Sequence, residues 1–194
     1  MAADVTAGKH VPLEHRLVYV QVVEGLIQHG LQGRISPRLK TRLSQVGLDV
    51  DRPLLPAYSV LMWQQCLRVI AEETWPGMSL EESFRRLAAA HVEGYGRTLI
   101  GRAVYGVMRL LGPRRLVQRM PQTLRGTDNY TEVELVEKGP TTYEMRMNSV
   151  LDCPGYSESL FEHMIRVGGG ESPQVTTLSV EDGHTTYLLT WTER

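Results

Sequence analysis

The hydrophobic period of this chain changes once, close to Pro121. Before that point apolar residues recur every three or four positions, the spacing of helices; after it they alternate, the spacing of strands. Few architectures accept such a switch. It predicts an α+β fold: N-terminal helices packed on a C-terminal antiparallel sheet of about four strands, in the order helices, hairpin, helix, hairpin.

The helical half is punctuated by its own start and stop signals. Val23, Leu26, Ile27 and Gly30 share one helix face, although residues 17–20 also suit a short strand feeding that helix. Ser36-Pro37 opens a second helix bearing Leu39, Leu43 and Val46, with Gly47 as its stop. Residues 49–58, with Pro53 and Pro56, read as an ordered connection. Ser59 is expected to cap a helix running to about Thr74, and Ser79 with Glu82 forms a capping-box pattern for the next.

Residues 95–111 form the most apolar helical stretch, greasy around more than half of the circumference. A helix of that kind is expected to be central, the spine of the fold. Gly94, Gly101 and Gly106 each cost it roughly 1 kcal/mol of helicity relative to Ala. Close approach of another backbone or of a ligand is the expected compensation. Gly112-Pro113 stops or kinks the helix, and a short basic helix over residues 113–120 follows. In the strand half, residues 130–136 and 142–147 flank a turn at Lys138-Gly139-Pro140. Residues 157–167 form a helix ended by Gly168-Gly169-Gly170. A second hairpin pairs residues 175–180 with 185–191 around Glu181-Asp182-Gly183.

Composition excludes several roles. A net charge of -1 recruits neither nucleic acid nor an anionic membrane through the global field. No run of 18 apolar residues is present, so no membrane span is expected. The opening ten residues lack a secretory signal, and the two cysteines, Cys66 and Cys153, carry no metal or redox spacing. A cytoplasmic protein fits best, with residues 1–14 a flexible N-terminus and residues 15–194 a single domain.

These segments carry a family resemblance. Val22-Val23-Glu24-Gly25-Leu26, Gly47-Leu48-Asp49 with Asp51-Arg52-Pro53, and Tyr58 with Trp63 begin it. Val92-Glu93-Gly94-Tyr95, Thr98 with Gly101-Arg102, and Leu111-Gly112-Pro113-Arg114 continue it. Asn129-Tyr130-Thr131-Glu132, Asn148, Pro154, Tyr187 and Trp191 complete it. The chain resembles a myxobacterial paralogue family of unknown function. That family is distantly similar to the fold of haem–nitric-oxide sensors, 4-vinyl-reductase regulatory domains and TRAPP-type trafficking subunits. The resemblance implies binding of haem, of aromatic or fatty ligands, or of a second copy. The haem sensors carry Tyr-x-Ser-x-Arg, which Tyr156-Ser157-Glu158-Ser159 does not reproduce. That departure counts against clamping of a haem carboxylate; no cofactor is expected, with a haem sensor as a minor variant.

Two groups of residues carry candidate chemistry. Between Glu93 and Asp128 lie seven arginines and no acid. Arg97 and Arg125, with Tyr105, Asn129 and Tyr130, are candidate ligand contacts, the guanidinium forks suiting the head of an amphipathic acid. The plain alternative is a solvated face paired with Glu132, Glu134 and Glu137. His91 and Tyr95 share a helix face and, with His163, are candidates for general acid–base catalysis of an isomerase or cyclase type. A buried hydrogen-bonded pair is the plain alternative there. No HExxH or Cys/His cluster occurs, so no metal site is expected. The expected function is a small-molecule-binding or regulatory domain with an apolar pocket between helices and sheet. An enzyme and a homodimeric scaffold are the alternatives.

Overall fold

A computed structural model describes residues 11–148 and 151–193. Helices occupy the first two thirds and a four-stranded antiparallel sheet the last, as the period change requires. The chain enters through a 3-10 turn at Leu13–His15, strand β1 (Leu17–Tyr19) and helix α1 (Val20–Glu24), which widens into π-helical Gly25–Gly30. Of the expected flexible N-terminus, residues 1–10 lie outside the described residues. Both readings of residues 17–20 are thus realised, a strand that feeds a helix. Its partner β2 (Ala57–Ser59) sits in what reads locally as a Pro-bearing connection.

Helix α2 (Pro37–Gln45) starts where Ser36 accepts a hydrogen bond from the Leu39 amide at 3.1 Å. Helix α4 (Leu80–Tyr95) starts the same way, with Ser79 accepting from the Glu82 amide at 3.2 Å. Between them, α3 (Val60–Thr74) begins after Ser59 without a hydroxyl cap. The expected Ser59 cap is not made: that residue ends β2, paired with Leu17, and its side chain caps no amide of α3.

The largest correction concerns residues 95–111. Tyr95 ends α4, and residues 99–111 belong to α5 (Leu99–Arg125), two helical arms joined at a kink where Gly112 takes φ +77. The basic continuation runs to Arg125 rather than Met120. The segment is not the spine. Leu99 and Leu110 are 79% and 89% exposed, Ile100 and Val107 about half, while only Gly101, Tyr105 and Met108 of this arm are buried. Central positions go to α4 and to α6 (Tyr156–Val167), which pack on each other, α6 also covering the sheet.

The glycine expectation divides. A methyl at Gly94 would overlap Gly25 O and the Gly30 backbone; a methyl at Gly101 would overlap Tyr95 O. Backbone approach is the compensation at both. At Gly106 nothing lies within 4 Å, so no such reason exists there.

Sheet order is β3 (Val133–Gly139), β4 (Thr142–Met147), β6 (His184–Thr192), β5 (Glu171–Glu181), every pairing antiparallel. Alternate residues of β6, from Thr185 through Tyr187 and Leu189 to Trp191, face inward beneath α6 and the second arm of α5. Burying a side chain such as Leu189 stabilises this layer by roughly 1.5–3 kcal/mol. Among the described residues no helix is long and apolar enough to cross a membrane.

Candidate functional site

The first arm of α5 leans on α4 and α6 over a cavity of about 140 Å3. Its wall is almost wholly apolar: Val22, Trp63 and Val92 on one side, Val104 and Met108 from α5, Leu160, Phe161 and Met164 from α6. The sheet contributes Met147 at the end of β4. The cavity therefore lies chiefly between helices, where a pocket between residues 95–111 and the sheet was expected.

His91, Tyr95 and Tyr156 bring polarity to that wall. His91 Nε2 stands 2.9 Å from Val22 O. A carbonyl only accepts, so Nε2 carries the proton and the Nδ1 lone pair accepts from the Tyr156 hydroxyl. Burial lowers the His91 pKa to about 4, outweighing the Val22 hydrogen bond, which raises it. Burial likewise pushes the phenols of Tyr95, Tyr105 and Tyr156 upward. Tyr105 donates to Val92 O at 2.8 Å, and its ring lies 5.8 Å from that of Tyr95. Trp63 meets His91 edge-on at 6.2 Å.

The opposite rim is ordered by Asp128. Its Oδ1 accepts from the amides of Tyr130 and Thr131 at 3.0 and 2.7 Å, and its Oδ2 from the Thr131 hydroxyl at 2.6 Å. That Asx turn sets Tyr130 against the cavity, with the Arg16 guanidinium 5.1 Å from the ring centroid.

The structure thus brings together four of the expected residues: His91, Tyr95, Tyr105 and Tyr130 all line the cavity. The others are elsewhere. His163 is outside the lining, its Nδ1 2.8 Å from Ser159 O, so His91 shares the cavity wall with Tyr95 but not with His163. Arg97 pairs with Glu93 one turn away on an exposed surface. Arg125 is exposed at the end of α5. Asn129 staples the chain entry: its Oδ1 accepts from the Leu17 amide at 2.8 Å and its Nδ2 donates to His15 O at 3.0 Å. With both arginines away from the wall, nothing in it anchors an acidic head. Tyr156, Trp63 and Asp128 were not legible as site residues. Tyr156 had a signal in its spacing to Leu160 and Met164, which puts all three on one face of α6.

Both cysteines are buried, and burial raises their thiol pKa to about 12, consistent with packing rather than reactivity. Among the described residues no group of three or more His, Cys, Asp or Glu could hold a metal ion.

Residues 16–192 match the family described as "Protein of unknown function (DUF2378)". No curated protein matches the sequence. Solved structures do. A mutant Fe(II) unliganded H-NOX protein from K. algicida superposes with TM-score 0.66 at 8% identity, over 91% of this chain and 97% of that one. An oxygen-binding H-NOX domain related to soluble guanylate cyclases gives 0.65 at 14% identity, over 89% and 94%. A Cs H-NOX mutant carrying 4-cyano-phenylalanine gives 0.64 at 15%, over 90% and 97%. The fold is therefore H-NOX-like.

That fold raises the question of haem, and the residues do not fit it. The histidine of the wall has both ring nitrogens engaged, one with Val22 O and one with Tyr156. The phenols that could replace it are held protonated by burial. A volume of about 140 Å3 is far below the roughly 300–1,000 Å3 of pockets for drug-sized ligands, and a porphyrin is larger than most of these.

Proposed function

The chain belongs to the DUF2378 family of unknown function, and we propose that it serves as a regulatory domain binding a small apolar ligand in the cavity between α4, α5 and α6. The observation that carries this reading is the cavity itself, lined by side chains that offer contact area and few hydrogen bonds. Apolar cavities of roughly 150 Å3 take up benzene or xenon, so a ligand the size of one aromatic ring suits this one. The protonated Tyr95 phenol and the His91–Tyr156 pair are the polar groups available to orient it. Because the first α5 arm forms one wall and is thinly packed elsewhere, ligand occupancy would bias the position of that arm. This is how binding becomes a signal.

Benzene and xenon titrations, read by Trp63 fluorescence and by melting temperature, test the reading. Saturable quenching with a raised melting temperature is expected, and a Trp63→Phe variant should lose the optical change while keeping the thermal one. A protein indifferent to both probes by both readouts overturns it.

A further inference from the structure

The outer face of α5 is a second feature that the cavity does not explain. On its first arm, at 100° per residue, Leu99, Leu110, Ala103, Val107, Ile100 and Leu111 fan across about 120° of one side. Leu99 and Leu110 are 79% and 89% exposed. Beside this apolar fan lie Arg102 and Arg109, and Arg119 of the second arm borders the same groove as Val107 and Leu111. The helix carries no acidic residue, and among the described residues none of these three arginines makes an ion pair.

We propose that this face of α5 docks peripherally on an anionic lipid bilayer, its leucines in the interface and its arginines among the headgroups. An amphipathic helix combining an apolar face with flanking cations is the form that lies in a membrane surface. The charge decides between occupants. A two-fold dimer through this face would bring Arg102 and Arg109 of both copies to one seam with no acid on either helix, a repulsive arrangement. The shape points the same way. Leu99 and Leu110, the most exposed of the fan, lie outside the lining of that groove, and a bilayer deforms around such side chains. The net charge of -1 does not oppose this, because screening confines the relevant field to about 8 Å at physiological ionic strength.

Co-sedimentation of the full chain with vesicles tests the assignment. Binding is expected to vesicles of phosphatidylcholine and phosphatidylglycerol in equal parts, to weaken as salt rises, and to be absent with phosphatidylcholine alone. A Leu99→Gln/Leu110→Gln variant should stay in the supernatant with an unchanged melting temperature, since both positions are exposed. Arg102→Gln and Arg109→Gln should each weaken partitioning by about five-fold. No binding to the mixed vesicles overturns the proposal, as does binding that survives the leucine changes. If light scattering instead finds wild-type dimers that the leucine variant loses, and vesicles are ignored, the face belongs to a second copy. None of these readouts depends on the cavity being filled.

Discussion

His91 on α4 and Tyr156 at the start of α6 are joined by a buried hydrogen bond that the Val22 carbonyl, by occupying Nε2, directs to Nδ1. Three elements far apart in sequence thereby fix one tautomer. The pair also ties α4 to α6 at the edge of the cavity, so its protonation state bears on both packing and pocket.

A pH dependence of stability follows. In the unfolded chain a histidine titrates near pH 6.5, but burial holds His91 neutral in the fold until about pH 4. Between those values the unfolded state binds the extra proton, so stability is full above about pH 6.5 and falls as pH drops toward 4. The loss attributable to this site is of the order of 3 kcal/mol. Urea unfolding across that range should show it, and a His91→Phe variant should lose that part of the slope.

The three glycines near α5 should respond in opposite senses. Gly94→Ala forces apart the backbones of α4 and the π-helical turn and should cost about 2–4 kcal/mol. Gly101→Ala should behave likewise. Gly106→Ala meets open space on an exposed helix and should stabilise by about 0.5–1 kcal/mol. Denaturant midpoints of the three variants check the contrast.

Asp128→Ala should cost about 2–4 kcal/mol, because it leaves the Tyr130 and Thr131 amides and the Thr131 hydroxyl without their acceptor in a buried turn. Asp128→Asn, which keeps one acceptor oxygen, should cost less. Hydrogen exchange at the Thr131 amide should rise in step.

Val104→Phe places a ring into the cavity from the α5 wall. The expected outcome is a folded protein whose melting temperature no longer rises with benzene. A variant that still gains stability from benzene would put the binding site elsewhere.

Much of the architecture was legible because it is local. Ser36 and Ser79 cap through the atoms of their own turn, Gly112-Pro113 kinks the chain wherever it lies, and alternation marks β4 and β6 without knowledge of their neighbours. The sequence by itself determined the order of the main helices and the two hairpins, whereas a close approach is equally expected at Gly94, Gly101 and Gly106 and is made only at the first two. The tertiary structure alone decided which apolar face is covered. Periodicity says that residues 99–111 have a greasy side, but only the packing of α4 against α6 excludes them from the centre and turns Leu99 and Leu110 outward. The same holds for chemistry. His91 meets Tyr156 while His163 turns to Ser159 O, because helix phase at a distant contact, rather than residue type, sets where a side chain arrives.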